Sequence, residues 1–142
     1  MKIRFFSLIL TGLLLFTLSS STSAGETGLV VKELARTGKS WDGETLPAYP
    51  VGPPEIRILS ITIPAGQKLP VHHHPVINAG VLLSGQLRVH TKEGKVLDLS
   101  AGEAIVEVVN TWHWGESIGD TPAHIIVFYA ATADTAITVT QE

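Results

Sequence analysis

Turn-forming residues recur at short intervals along this chain, and they leave room for strands rather than long helices between them. The segments between the turns alternate or are rich in β-branched residues, as in Glu55 to Ile63, which is typical of strands. The clearest turns are Pro64-Ala65-Gly66, Ser84-Gly85-Gln86, Glu93-Gly94 and Gly119-Asp120-Thr121-Pro122. Short strands at close, regular spacing predict one all-β domain, either a sandwich or a barrel.

The first residues have the order of a secretory leader. A basic start, Met1 to Arg4, precedes an apolar run from Phe5 to Leu18 and a small-residue segment that ends at Ala24. A membrane anchor is the alternative, but the apolar run is shorter than the roughly 20 residues of a spanning helix. We therefore expect a signal peptide over residues 1–24, a periplasmic or secreted product, and no membrane association after cleavage.

Composition narrows the partners and the ligands. The chain has 13 acidic and 10 basic residues, and two of the basic residues lie in the leader. The acidic balance that remains argues against nucleic acid as a partner. The chain has no cysteine, so disulfides and thiolate ligands are excluded, and any metal site must use His, Asp, Glu, Asn or water.

After the leader, the pattern divides the chain into three parts. Residues 25–54 hold a predicted strand at Leu29 to Leu34, followed by a Gly/Pro-rich loop. Residues 55–131 hold the predicted barrel strands. Residues 132–142 are predicted to form a last edge strand, a tail, or a strand that pairs with a neighbouring subunit.

Three consecutive histidines, His72-His73-His74, stand directly before Pro75. A residue before proline is pushed toward extended backbone, and side chains on an extended backbone alternate between faces. His72 and His74 should therefore share one face, while His73 points the other way. Two imidazoles on one face of a strand form half of a divalent transition-metal site.

The spacing around these histidines resembles the first motif of the cupin family, G-x5-H-x-H-x3,4-E-x6-G. The matching positions are Gly66, His72, His74 and Gly85, and Asn78 stands where the motif has glutamate. The second cupin motif is G-x5-P-x-G-x2-H-x3-N, and here Gly102 and His113 match it in spacing, while its Pro, Gly and Asn positions do not match. The resemblance covers Ile56 to about Tyr129.

This resemblance implies a single-domain cupin jelly-roll β-barrel whose metal ligands are His72, His74, Asn78 and His113. The expected cofactor is a divalent transition metal, Zn, Fe, Ni or Cu, because three neutral imidazoles suit these ions. With an amide in place of the carboxylate, the site should disfavour Mn²⁺, which prefers carboxylate oxygen.

Glu107 is the one carboxylate that could replace the missing one, because it lies within the apolar stretch Ala104 to Val109. We expect it to face solvent on the outer side of a barrel strand, since charges are seldom buried without a partner. If it faces inward instead, it could ligate the metal, orient a ligating histidine or act as a general base.

Two functions fit these features. The first is a metal-dependent oxygenase or isomerase that acts on a small organic substrate, and the second is a non-catalytic small-ligand or metal-binding module. A polar group inside the barrel, either Glu107 or His124, would favour catalysis, and an all-apolar lining would favour binding. A barrel whose histidines bind nothing is a third possibility. We also expect a homodimer, since pairing between subunits would cover exposed strand edges.

Overall fold

The structure is a computed structural model that describes residues 28–141, so the predicted signal peptide over residues 1–24 lies outside the described residues. Residues 28–31 form part of one compact unit and residues 32–141 belong to another. The described chain contains nine strands and no helix, and hence no helix that could span a membrane. The strands are β1 (Pro54–Ile63), β2 (His72–His73), β3 (Asn78–Ser84), β4 (Gln86–Thr91), β5 (Val96–Ser100), β6 (Ala104–Val106), β7 (His113–Ser117), β8 (Ala123–Thr132) and β9 (Val139–Thr140).

The strands form two sheets, and every pairing within them is antiparallel. One sheet has the order β1-β8-β3-β6 and the other has the order β5-β4-β7-β2-β9. Successive strands alternate between the two sheets along most of the chain, as in a jelly roll. The predicted all-β, jelly-roll fold class is confirmed.

The core lies between the two sheets, and the alternation of inward and outward side chains is clearest in β4 and β8. In β8, Ile125, Val127 and Tyr129 are buried, and the residues between them are half-buried or exposed. In β4, Leu87 and Val89 face the same interior from the opposite sheet. Because inward side chains come from both sheets, a polar residue on an inward position has the apolar core around it.

Two predictions about the ends of the chain have different outcomes. The strand expected at Leu29 to Leu34 was wrong, because residues 28–36 belong to no strand and are exposed. These residues have β-propensity but no neighbouring strand to pair with, and propensity alone does not stabilise a strand. At the other end, β9 does form an edge strand, and it pairs with β2 of the same chain.

The turn between β3 and β4 requires glycine for two separate reasons. Gly85 has a φ of +77°, a left-handed conformation that side chains disfavour, and a Cβ on it would overlap with the carbonyl oxygen of Pro122. Gly94, in the next hairpin, has a similar φ of +89° but open space around its Cα. An alanine at Gly94 would therefore introduce backbone strain alone, whereas an alanine at Gly85 would introduce both backbone strain and steric overlap.

We predict that Gly94→Ala lowers the free energy of unfolding by about 1–2 kcal/mol, the cost of a left-handed conformation. Gly85→Ala should cost a further ~1–3 kcal/mol, because the hairpin must also move away from Pro122. Urea denaturation of both variants measures the difference. Equal destabilisation would show that the contact with Pro122 does not constrain this turn.

Candidate metal centre

The alternation of β2 divides the histidine run as the sequence predicts. His72 and His74 are buried at 8% and 4% exposure, and both line the interior cavity. His73 is half-buried, lies outside that cavity, and packs edge-on against Trp112 with 4.6 Å between ring centroids. Only two of the three consecutive imidazoles therefore reach the interior.

His113 joins these two from the neighbouring strand. It is 2% exposed and lies directly opposite His72 in the antiparallel pairing of β2 with β7. Its ring centroid lies 4.4 Å from that of His72 and 5.0 Å from that of His74. One ring nitrogen from each of the three histidines lies within 4.8 Å of the other two, so the group could hold one metal ion.

Main-chain carbonyls set the tautomer of all three histidines. The Nδ1 atom of His72 lies 2.7 Å from the Pro70 oxygen, that of His74 lies 2.7 Å from the Ile137 oxygen, and that of His113 lies 2.8 Å from the Thr111 oxygen. A carbonyl can only accept a hydrogen bond, so each Nδ1 donates and each Nε2 keeps its lone pair. A histidine held in this way is oriented for metal ligation.

Burial also keeps these rings neutral. Desolvation lowers the pKa of His74 to about 3 and that of His113 to about 4, and it lowers the pKa of His72 as well. The carbonyl contacts oppose this shift but do not cancel it. At neutral pH the interior therefore presents three uncharged imidazoles with free lone pairs.

Glu107 faces the interior, so the prediction that it faces solvent was wrong. Its residue is 7% exposed and it lines the same cavity as the three histidines. It follows β6 with the same parity as Ile105, which is buried at 2% exposure, so both side chains point inward. Because every residue from Ala104 to Val109 except Glu107 is apolar, the sequence did not reveal which face of this strand is the inner one.

One carboxylate oxygen of Glu107 has no hydrogen-bond partner within residues 28–141. Its Oε2 atom is buried without a hydrogen bond, and so is Nε2 of His113, 3.8 Å away. Burial raises the pKa of Glu107 to about 7. Since His113 is neutral at the pH where Glu107 ionises, the two side chains do not form a salt bridge.

Asn78, the predicted fourth ligand, is fully buried but is not among the residues that line the cavity. Its Nδ2 atom donates to the Val76 carbonyl at 3.3 Å, and its Oδ1 atom has no partner within the described residues. The structure therefore brings His72, His74 and His113 together and leaves Asn78 beside the group.

Tyr129 is a site residue that the sequence analysis did not identify. It is 2% exposed, lines the cavity, and packs edge-on against His74 with 5.3 Å between ring centroids. Desolvation, followed by the nearby charge of Glu107, raises the pKa of its phenol to about 12. Its alternation with Val127 and Ile125 was the available signal, because all three lie on one face of β8.

The remaining histidines lie outside the cavity. His90 stacks on Trp114 at 4.8 Å and contacts Glu116 at 3.0 Å. His124 contacts the Ser60 hydroxyl at 2.7 Å across β1 and β8. His124 is therefore a strand histidine with an ordinary hydrogen bond, and Glu107 is the acidic side chain in the interior.

The cavity is small and has a wider approach. Its volume is about 40 Å³, little more than the roughly 30 Å³ that one water molecule takes up in the liquid. A groove of about 170 Å³ adjoins it and shares His72, His74 and Tyr129 with it. Thr138, directly before β9, and Thr140, within β9, line the groove on the side of the C-terminal segment. This groove therefore borders the three-histidine group at the edge where β9 pairs with β2.

An antiparallel jelly roll with three convergent histidines in its interior defines a β-barrel that could hold a metal ion. A family model described as "Cupin domain" matches residues 59–129, half of the chain. The chain belongs to the cupin family.

Solved structures share this fold. The DMSP lyase DddQ from Ruegeria pomeroyi DSS-3 is similar, with a TM-score of 0.53 and 21% identity over 61% of this chain and 43% of that chain. An oxalate oxidase in complex with glycolate gives a TM-score of 0.51 and 22% identity, over 60% of this chain and 45% of that chain. Bacillus subtilis oxalate decarboxylase OxdC gives a TM-score of 0.53 and 21% identity, over 60% of this chain and 23% of that chain. This chain therefore spans less than half of each of these proteins. A separate comparison with curated protein sequences found no match.

We predict that acidification destabilises the metal-free protein. His74 and His113 take up protons near pH 6.5 when the chain unfolds but only near pH 3 and pH 4 when it is folded. The stability that follows from their neutral state is present above pH 6.5 and is lost as the pH falls toward 4. Glu107 has a raised pKa, so its contribution to the free energy of unfolding grows as the pH falls from about 7 to about 4.5. This single group opposes two histidines, so the net effect of acidification is a loss of stability.

Urea denaturation of chelator-treated protein at pH 7.5 and pH 5 measures this loss of stability. His74→Gln removes one of the titrating groups and should reduce the pH dependence by up to about 1.4 kcal/mol per pH unit. The same pH dependence in this variant and in the wild type would contradict the assignment of the shifted pKa to His74.

Proposed function

We propose that this protein is an exported cupin that binds one divalent transition-metal ion through His72, His74 and His113 and uses it on a small organic substrate, as an oxygenase or isomerase. The observation that carries this proposal is the convergence of three ring nitrogens within 4.8 Å, each on a histidine whose other nitrogen is fixed by a carbonyl. The buried, unpartnered Nε2 of His113 supports it further, because a buried hydrogen-bond acceptor that has no partner is costly unless a ligand binds its lone pair.

The donor set also limits the choice of metal. Neutral imidazoles suit Zn²⁺, Cu²⁺, Fe²⁺ and Ni²⁺, and three of them leave coordination positions open for other ligands. When bound, such an ion supplies Lewis-acid chemistry or, for a redox-active ion, dioxygen chemistry. The chain itself holds the ion, surrounds it with apolar side chains such as Val89 and Val127, and provides the protonated phenol of Tyr129 at the cavity wall.

We predict that His74→Ala reduces the bound metal from one ion per chain toward zero, because it removes one of three ligands. His73→Ala is the matched control, since it removes the adjacent imidazole from the other face of the same strand and should leave the metal content unchanged. Elemental analysis after loading with Zn²⁺ and desalting measures both. Equal metal content in the two variants would contradict the proposed site.

A non-catalytic binding module is the second candidate, and the cavity volume of about 40 Å³ favours it, because few substrates fit beside a metal ion in that space. The carboxylate of Glu107 in the interior favours catalysis instead, since a polar group beside the histidines can participate in chemistry. The two candidates differ in whether the bound metal keeps an open coordination position, as catalytic sites do and structural sites do not.

We predict that azide changes the visible absorption spectrum of the Co²⁺-loaded protein, because a small anion can enter the cavity and bind at an open position. The same additions to Co²⁺ in buffer without protein provide the baseline. A spectrum that azide leaves unchanged at saturation would indicate a closed site and favour the binding module.

Export and dimerisation are part of this proposal. The leader-like residues 1–24 support export to a periplasmic or extracellular location. The outer face of the sheet β1-β8-β3-β6 supports a homodimer, because apolar side chains there are exposed, among them Ile56, Ile58 and Leu83. The adjoining groove of about 170 Å³ supports a small-molecule ligand as the other partner.

A further inference from the structure

We propose that Glu107 is a metal ligand of this site and that it stands in for the carboxylate that the first cupin motif would place at position 78. This inference rests on the metal-binding function proposed above. It extends that function by identifying a fourth protein ligand, by making the donor set charged, and by changing the range of metals that the site accepts.

Register places Glu107 directly across from Asn78. β3 pairs with β6 through Ala79 opposite Val106, so the next pair along the two strands is Asn78 and Glu107. The backbone N–H of Glu107 donates to the carbonyl of Asn78 at 3.0 Å. Side chains of directly opposed residues in an antiparallel pair lie on one face, about 4.5–5.5 Å apart at Cβ. A carboxylate moved from one strand to the other would thus remain in the same interior.

The two opposed residues have different surroundings in the interior. Asn78 has its amide nitrogen engaged by the Val76 carbonyl and does not line the cavity. Glu107 lines the cavity together with all three histidines, and its Oε2 atom is buried without a hydrogen bond. The side chain that points at the histidines is therefore the carboxylate and not the amide.

The distance between the two unpartnered atoms fits an ion between them, but Glu107 lies outside the group of three ring nitrogens that are within 4.8 Å of one another, so its side chain must turn toward His72 and His74 to complete the site. Oε2 of Glu107 and Nε2 of His113 are 3.8 Å apart, which is too long for a hydrogen bond. A zinc ion forms bonds of about 2.0–2.2 Å to carboxylate oxygen and about 2.0–2.1 Å to imidazole nitrogen, so it can bridge two atoms up to about 4.3 Å apart. One bound cation would satisfy both orphaned atoms and would neutralise the buried negative charge.

A water molecule between Glu107 and His113 is the competing explanation, and metal affinity separates the two. If Glu107 is a ligand, Glu107→Gln should weaken metal binding at least ~10-fold. The loss should be larger for Mn²⁺ than for Zn²⁺, because Mn²⁺ depends more on carboxylate oxygen than on imidazole. A structural disturbance would instead weaken both ions equally, which is why the comparison of two metals is informative.

The experiment measures Zn²⁺ and Mn²⁺ affinity by chelator competition in the protein without the predicted signal peptide. Glu116→Gln is the matched control, because Glu116 contacts His90 outside the cavity, and it should change neither affinity. The double variant Asn78→Glu with Glu107→Gln should recover the Mn²⁺ affinity, since the carboxylate then occupies the opposed position. Failure of that recovery would overturn the stand-in relation between the two positions.

An infrared difference spectrum of the wild-type protein tests the same ligand without depending on how a variant folds. Adding Zn²⁺ to the metal-free protein should shift carboxylate stretching bands. If Zn²⁺ binds and these bands do not move, the ligand role of Glu107 is overturned. The same conclusion follows if Glu107→Gln leaves both affinities unchanged or lowers them equally. In either case the three-histidine site stands. If wild-type protein binds none of Zn²⁺, Mn²⁺, Cu²⁺, Fe²⁺ and Ni²⁺, the proposed function itself fails.

Discussion

The pairing of β2 with β7 is the contact on which the candidate metal centre depends. β2 is only two residues long, yet it places His72 opposite His113 and presents His74 to the same interior. So short a strand gains little stability from its own ladder. Two other strands of the same chain therefore hold β2 in place, with β7 along one edge and β9 along the other. The C-terminal segment also orients a ligand directly, because the Ile137 carbonyl accepts the hydrogen bond of His74.

The parts of this site that could be predicted from sequence follow from local geometry. Extended backbone before Pro75 separates His73 from its two neighbours, and the structure shows that separation. The spacing of the second motif also holds where its residues differ. Asn110 stands at the position of the motif glycine and has a φ of +57°, the only residue other than glycine with a positive φ among residues 28–141. Asparagine tolerates this conformation better than most residues, so the backbone shape of the motif is kept without its glycine.

The parts that could not be predicted depend on contacts between distant strands. The inward direction of Glu107 is fixed by the pairing of β6 with β3, and nothing within the stretch from Ala104 to Val109 distinguishes one apolar face from the other. The preference of charges for solvent then favoured the wrong face. The segment at residues 29–34 fails for the complementary reason, because its residues favour a strand but no other strand pairs with it. In both cases the missing information was the identity of the neighbouring strand.

A carboxylate in this position carries a cost that connects the fold to its ligand. Burial without a partner makes the ionised form of Glu107 unfavourable, as its raised pKa shows, and the domain has no disulfide to offset such a cost. A cation bound by Glu107 and the three histidines would reverse the sign of that contribution, since the negative charge would then face a positive one. Any ion that binds the folded chain and not the unfolded one also stabilises the fold in proportion to its affinity. The interior polar residues are therefore unfavourable in the barrel alone and would become favourable if a cation were bound between them.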